Sequence, residues 1–343
     1  MGVNLAPIMV KHIVRLDDFV GRKIAVDANN LLYQFLSLIR TRSTSPLTSP
    51  DGAVTSHLTG LLYRTARLIS EYHISLVFVF DGKPPRHKAK EIQKRRQLRE
   101  KATKEWKEAL AAGDYAKAFS KAVVMNRLTE PMIQDAKTLL GLLGIPYVQA
   151  PSEAEAQAAY MAMRGDVWAS SSRDYDSILF GAPRLVRYLT ISGREYLPSK
   201  GVSRPLKPEL VILKEFLSTL GISREQLVDL AILIGTDYNE GVKGIGPKTA
   251  LKLILKHGRI EDLPENIQKK ITGDYDEIRS LFLKPKVTSV YKTTPGPLME
   301  NEIYSFLCDE KGFSRARVEK VIQRIKKSAE KPQQLNLGRW VKR

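Results

Sequence analysis

The sequence predicts an α/β fold: a central, mostly parallel, twisted sheet with helices on both faces. Three observations predict it. Short apolar runs such as Lys23–Asp27 (KIAVD) and Ser75–Phe80 (SLVFVF) alternate with segments whose apolar residues recur at helical spacing. The second of these runs has the unbroken apolar character of a strand covered on both faces. An acid stands near the end of several elements, and in parallel sheets ligands gather outside the carboxyl ends of the strands.

Taken in order, Lys23–Asp27 is a strand, and Asn29–Ile39, with Leu32, Phe35, Leu36 and Ile39 at helical spacing, is the helix that follows it. Thr41–Gly52 is rich in Ser, Thr and Pro and reads as a loop. Val54–Glu71 is helical, and Ser75–Phe80 is a strand stopped by Asp81-Gly82. Lys83–Met125 carries no strand signal; its Ala-rich second part, with Gly113, reads as a second helix or a mobile connection. Thr129–Leu143 and Ser152–Arg164 are helical, while Pro146–Val148, Val167–Ser171 and Leu185–Leu189 are strands. Pro208–Leu220 and Arg224–Ile234 read as amphipathic helices, and a further helix runs to about Lys256. Beyond Gly258 the chain is charged and mostly helical, and from Lys326 it becomes a polar tail. Right-handed crossovers between parallel strands would set Asp27, Asp81, Asp174 and Asp176 along one edge of the sheet.

Composition narrows the partners. At 343 residues and 43% hydrophobic, the chain can bury the core of one large domain or two moderate ones. Fifty-five Lys and Arg against 37 Asp and Glu leave a charge of +18, which favours a polyanion, nucleic acid ahead of an anionic membrane surface. No apolar run approaches the roughly 20 residues that span a bilayer, and no signal segment opens the chain. An intracellular protein without membrane attachment is expected; Met1-Gly2 invites myristoylation, but Ala6 stands where Ser or Thr is wanted. The single cysteine, Cys308, and five scattered His make a Cys/His zinc site improbable, so a metal here would be held by oxygen.

Seven acids form the candidate site: Asp27, Asp81, Glu153, Glu155, Asp174, Asp176 and Asp237. Each has a bland explanation as a cap or turn residue. Ser152–Glu155 in particular fits a capping box, the favoured explanation for that pair in isolation. As a group they would repel one another and raise their own pKa values unless cations neutralised them. Mg²⁺ and Mn²⁺ prefer such oxygens, and two ions roughly 4 Å apart can bind both sides of a phosphate. In a basic protein this chemistry is phosphodiester hydrolysis.

Two basic features flank the acids. Eleven Lys and Arg lie between Lys83 and Lys107. A charge run is usually a solvated helix face, but this one follows Asp81 directly and reads as a basic arch. Lys88 and Arg95 are seven apart, hence on one face and roughly 10 Å apart along a helix axis, suited to phosphate oxygens. After Asp237 comes Gly241-Val-Lys-Gly244-Ile-Gly246-Pro-Lys248-Thr249-Ala250. A tight helix connection is one explanation, yet the glycines permit close backbone approach and the following helix start offers free N–H groups to a phosphate. In the tail, Gln334, Leu337, Trp340 and Val341 are spaced to put apolar anchors on one face of a helical turn against a partner groove.

These motifs resemble the flap endonucleases, of the archaeal type and the wider structure-specific 5′-nuclease superfamily, over nearly the whole chain. The resemblance is carried by M-G-V at the start, D-A-N-N-L-L-Y-Q-F-L from Asp27, T-S-H-L from Thr55 and V-F-D-G-K-P-P from Val79. It continues with A-P-S-E-A-E-A from Ala150, S-R-D-Y-D-S from Ser172, G-T-D-Y from Gly235 and G-V-K-G-I-G-P-K-T-A from Gly241. It implies an enzyme dependent on two Mg²⁺ ions, with Mn²⁺ as a substitute, that cuts branched DNA near the junction, releases 5′ flaps in replication and repair, and has 5′ to 3′ exonuclease activity. All seven acids match metal-site positions, with Asp176 also counted catalytic beside Lys88 and Arg95 at the foot of the arch. Gly2 matches a residue near the active site, Tyr33 an aromatic that stacks on a base, and Thr55 and Arg64 lie in the region contacting one duplex. Gly244, Gly246, Lys248 and Thr249 fall in a helix-two-turn-helix element holding the other duplex, with K⁺ bound. The tail resembles a sliding-clamp (PCNA) binding box, with Val341 where a second aromatic is usual. Arg173 departs from the polar or acidic residue common at its position.

The resemblance gives one nuclease domain over 1–325: half of the core in 1–82, the arch in 83–128, the second half with the helix-two-turn-helix in 129–258, and a helical part in 259–325. The clamp-binding tail is 326–343. A cytoplasmic monomer associated with the archaeal nucleoid is expected. Competing readings are a bubble-cutting repair nuclease and a non-cleaving, clamp-tethered DNA scaffold.

Overall fold

Ile24, Ala25 and Val26 are buried from both sides, and the sheet is built outward from the strand that contains them. The computed structural model describes residues 2–41, 45–125, 127–190, 193–197 and 202–330. Its strands are β1 (His12–Ile13), β2 (Lys23–Asp27), β3 (Ser75–Phe80), β4 (Tyr147–Gln149), β5 (Ala169–Ser171), β6 (Arg184–Arg187), β7 (Gly193–Leu197), β8 (Val202–Leu206) and β9 (Glu209–Ile212). Seven of them form one sheet in the order β1-β9-β6-β5-β2-β3-β4, and β7 and β8 form a separate hairpin. The five strands from β4 to β6 are parallel; β9 runs antiparallel to β6, and β1 antiparallel to β9. Successive connections lead from β2 to β3 and β4 on one side, and then to β5 and β6 on the other. The strand order therefore reverses beside β2, and Asp27 ends that strand at the switch point.

Alternation along β2 assigns the two faces. Ile24 and Val26 pack with α1 (Ala28–Leu38), α2 (Ser56–Tyr72) and α5 (Glu130–Leu142), whereas Ala25 packs with Val77, Val79 and the alanines of α6 (Ala154–Met163). Small side chains on α6 let it lie close to the sheet. A second large core joins Leu185 and Val211 to α7 (Asp176–Leu179), α8 (Leu213–Leu220), α9 (Arg224–Ile234) and α10 (Pro247–His257). The arch between β3 and α5 consists of α3 (Ala89–Ala111) and α4 (Tyr115–Met125). Buried Ala102, Ala109, Ala118 and Ala122 accompany their packing, and Lys121 bonds Glu105 at 2.5 Å. Arg40 Nη2 ties the arch to the end of α1 by donating to the Ala122 carbonyl at 2.8 Å.

One expected helix is divided. Within Pro208–Leu220, Glu209–Ile212 is strand β9, and the helix starts only at Leu213. Pairing on both edges, with β6 and β1, decides this over local periodicity. The remainder, α11 (Glu265–Gln268), α12 (Tyr275–Leu283), α13 (Glu300–Tyr304) and α14 (Arg315–Glu330), is helical, but α14 continues through Lys326–Glu330, where a polar tail is expected, because it packs on α2 and Ser328 Oγ donates to the Ile69 carbonyl there at 3.2 Å. The clamp-box residues Gln334, Leu337, Trp340 and Val341 lie outside the described residues. No helix among the described residues is long and apolar enough to cross a membrane.

Candidate active site

The sheet places the acids by where each strand stops. Asp27 closes β2 and caps α1, its Oδ1 accepting from Asn30 N at 3.0 Å. Asp81 follows β3 and accepts from Ala154 N at 2.8 Å, which joins the end of that strand to the start of α6. Glu153 and Glu155 lie at that same helix start. Asp174 stands in the turn after β5, and Asp176 begins α7 with its Oδ1 accepting from Val3 N at 2.8 Å. Asp237 comes from the turn after α9. There Gly241, at φ +71°, passes so close to Gly235 that a Cβ would lie 2.4 Å from its nitrogen.

Mutual repulsion links the acids into one cluster. Burial, then Asp81, and further Asp174, push Asp27 well above the ordinary carboxylate range. Burial raises Asp81 too, with Glu153 adding to it. Glu155 is also pushed well up, by burial and then by Asp176, Asp27 and Asp174. Burial followed by Asp237 and Asp174 brings Asp176 to about 7. Asp237 goes the other way: burial raises it, but Lys88 and Arg95 overcome that and hold it below its usual range.

The capping-box explanation of Ser152–Glu155 does not hold. The helix is capped at Glu153, without a side-chain cap bond, and Glu155 Oε1 is buried with no hydrogen-bond partner. A buried carboxylate oxygen without a donor is costly unless a cation or water meets it. Gly2 gives a second sign of a crowded cradle. A Cβ there would stand 2.6 Å from Asp176 Oδ1 and 2.8 Å from Asp174 Cβ.

Lys88, in a 3₁₀ turn just before α3, and Arg95, on α3, meet at Asp237. Lys88 Nζ lies 2.5 Å from Glu153 Oε1 and 3.1 Å from Asp237 Oδ2, and Arg95 Nη2 donates to both oxygens of Asp237 at 3.1 and 2.9 Å. Burial would lower Lys88, yet Glu153 and Asp237 outweigh it and raise its pKa. Among the described residues no three acidic, His or Cys side chains converge into a ready-made cation cage. Two side-chain cations of the arch instead neutralise one flank of the cluster. The remainder of the cluster, with Asp27, Asp81, Glu155 and Asp176, carries the raised pKa values and the partnerless oxygen. Its donor set suits a hard divalent ion.

The expected DNA contacts fall on different surfaces. Gly244, Gly246, Lys248 and Thr249 are exposed at the start of α10. Tyr33 is half-buried, its hydroxyl 3.5 Å from the Val124 carbonyl of the arch. Arg64 is half-buried on α2, whereas Thr55 is buried at the start of that helix and presents little side chain to a ligand. Sequence reasoning missed two residues. Tyr238 donates its hydroxyl to Glu153 Oε2 at 2.6 Å, and Asn30 Nδ2 donates to Asp174 Oδ2 at 2.9 Å. Both stand in motifs quoted above, D-A-N-N and G-T-D-Y, the one signal that could have found them.

Acids brought to the strand ends beside the switch point of a mostly parallel sheet, two of them bonded by a basic helical arch, define a nuclease of the XPG type. The XPG N-terminal domain matches residues 1–102 and the XPG I-region residues 144–237. The chain is 50% identical to Flap endonuclease 1 of Pyrococcus horikoshii over 99% of its own length and 98% of the relative's. To Flap endonuclease 1 of Archaeoglobus fulgidus it is 48% identical over 99% and 100%. The solved flap endonuclease-1 of Methanococcus jannaschii superposes with a TM-score of 0.75 at 41% identity, covering 95% of this chain and 98% of that one. The chain belongs to the flap endonuclease 1 family. Nucleases of this type depend on divalent metal.

Proposed function

We propose that this chain is a structure-specific 5′ nuclease that hydrolyses a phosphodiester near the junction of branched DNA. It releases 5′ flaps in replication and repair, with 5′ to 3′ exonuclease activity alongside. The observation that carries this reading is the direct bonding of Lys88 and Arg95 to Glu153 and Asp237. It sets the cations that would meet the scissile phosphate and the acids that would hold metal within one hydrogen bond of each other.

Asp27, Asp81, Glu153 and Glu155 would hold one Mg²⁺ and Asp174, Asp176 and Asp237 a second, with Mn²⁺ as a substitute. Bound there, the ions supply Lewis-acid charge for water attack and for the leaving oxygen. The chain's own residues do the rest. Lys88 and Arg95 leave the acids for the phosphate, Gly2 leaves room beside Asp176, and Tyr33 receives a base. Gly244, Gly246, Lys248 and Thr249 hold the downstream duplex backbone, with K⁺ in the turn, while Arg64, from a helix that Thr55 begins, faces the other duplex. Gln334, Leu337, Trp340 and Val341 bind a sliding clamp. The unit is a monomer acting on DNA within the cell: one nuclease domain, carried past the expected boundary at 325 to the end of α14 at Glu330, and a clamp-binding tail beyond it.

A 5′-flap duplex incubated with the protein in Mg²⁺ or EDTA tests this. Cutting only in Mg²⁺, with Asp176→Ala binding the flap but not cutting it, is expected. Binding with no metal-dependent cutting would leave a scaffold in place of a nuclease. A clamp pull-down unchanged by Trp340→Ala would remove the tail assignment.

A further inference from the structure

Asn30 joins two acids that arrive from neighbouring strands. Its backbone N–H donates to Asp27 Oδ1 at 3.0 Å, and its side-chain Nδ2 donates to Asp174 Oδ2 at 2.9 Å. One turn along α1, Gln34 Nε2 donates to Asn30 Oδ1. A carboxylate only accepts, so the Asn30 amide must turn its nitrogen to Asp174 and its oxygen to Gln34. The three groups form a directed chain, Gln34 to Asn30 to Asp174.

The two acids differ in how firmly their backbones are held. Asp27 ends a strand paired on both sides, with Val26 opposite Ser171 of β5. Asp174 lies three residues beyond that strand, in a turn held by Arg187 Nε, which donates to the Arg173 carbonyl at 2.8 Å, and by the 3.3 Å contact of Asp174 N with Ser172 Oγ, neither of which reaches the Asp174 carboxylate. A side chain on such a turn needs an external donor to keep its place.

The chemistry of an amide suits this place. Asp27 and Asp174 already repel each other, so a carboxylate at position 30 would add to the strain. A Lys or Arg would hold Asp174 but cancel the charge a divalent ion requires. An amide donates a hydrogen bond and leaves both negative charges in place.

We propose that Asn30, oriented by Gln34, is a positioning residue that fixes Asp174 relative to Asp27 and so sets the spacing of the cation positions. The proposal rests on the reading of the acids as a metal site, and the experiment separates the two. The full chain, Asn30→Leu and Gln34→Met are compared in three measurements. These are Mn²⁺ binding without DNA, followed by the electron paramagnetic resonance of free Mn²⁺; the Mg²⁺ midpoint for single-turnover cutting of a 5′-flap duplex; and flap binding in EDTA.

Asn30→Leu is expected to weaken Mn²⁺ binding and raise the Mg²⁺ midpoint by about 10- to 100-fold, the usual range for losing a partner of a metal-binding side chain. Gln34→Met, which leaves the donor but frees its orientation, should shift both in the same direction by less. Flap binding in EDTA should stay at the unsubstituted level for both. If the unsubstituted chain binds no Mn²⁺, the metal-site reading fails. If it binds Mn²⁺ and Asn30→Leu matches it in affinity and midpoint, the positioning role is overturned. Should Asn30→Leu not fold, Gln34→Met decides by the same two readouts, unchanged values again overturning the role.

Discussion

Arg95 grips Asp237 through one nitrogen, Nη2, set 2.9 Å from Oδ2 and 3.1 Å from Oδ1. The second donor to this carboxylate, Lys88 Nζ, also holds Glu153, so the foot of the arch and the acid cluster neutralise each other. Each contact uses charge that a phosphate or a metal ion would otherwise meet. Replacing Arg95 by Met should therefore have two opposite effects. Single-turnover cutting of a flap should fall by about 10²- to 10³-fold, as when one charge-stabilising donor is lost. Mn²⁺ binding to the DNA-free protein should tighten, because Asp237 loses one of its cationic partners while Lys88 remains. Lost cutting with unchanged Mn²⁺ affinity would show that Arg95 does not compete with cations.

Asp176 gives the metal-free protein an unusual pH dependence. Its pKa in the fold is about 7 against 3.8 for an ordinary Asp, so between those values the folded chain binds a proton that the unfolded chain has lost. That contribution is full below the lower value and disappears as pH rises through the upper one. Melting in EDTA should thus occur at a lower temperature at about pH 8 than at about pH 5.5, and Asp176→Asn should shrink the difference, leaving the part due to Asp27 and Glu155. Divalent ions bind the deprotonated acids, so Mg²⁺ should restore the melting temperature at the higher pH. A Tm in EDTA that rises between these pH values, and rises equally in Asp176→Asn, would refute the assignment.

The parts of this site that sequence made legible are those governed by local pattern. The unbroken apolar run of Ser75–Phe80 could hardly be anything but a strand buried on both faces, and Asp81 marked its end. Helical spacing suggests a shared face for Lys88 and Arg95, but the motif resemblance is needed to single them out among the arch cations, and Lys88 stands in a 3₁₀ turn just before α3. Strand β9 was lost because Glu209–Ile212 continues the apolar rhythm of the helix behind it, and only pairing with distant β6 and β1 makes it a strand. Two-residue β1 offers no period at all. Tyr238 and Asn30 were missed for a related reason. Their partners lie 85 and 144 residues away, and apart from the D-A-N-N and G-T-D-Y motifs no local pattern marks a bond across such a distance.

Gly2 is required by space rather than by backbone angle. A Cβ would come within 2.6 Å of Asp176 Oδ1, and the Val3 N–H that bonds this oxygen at 2.8 Å leaves the carboxylate little freedom to move. Gly2→Ala should displace Asp176 and lower cutting by about tenfold or more, since small misplacements of reacting groups are costly. Flap binding in EDTA should change little. Cutting at the unsubstituted rate would show that the amino-terminal segment can shift aside.

Tyr238 is buried, with its ring centroid 5.2 Å from that of Phe282 and its hydroxyl 2.6 Å from Glu153 Oε2. Lys88 holds the other oxygen of the same carboxylate. On the proposed transfer of Lys88 to a phosphate, Tyr238 would be the donor left to keep Glu153 oriented toward the remaining acids. Tyr238→Phe preserves the ring and removes only that bond. A hydrogen bond to a charged group contributes about 1.5–3 kcal/mol, so the loss should appear as a drop in cutting of about 10-fold or more at limiting Mg²⁺. Saturating Mg²⁺ should recover much of it, because bound cations can orient the carboxylate in place of the hydroxyl. A deficit that persists undiminished at all Mg²⁺ concentrations would mean that the hydroxyl acts on something other than the placement of Glu153.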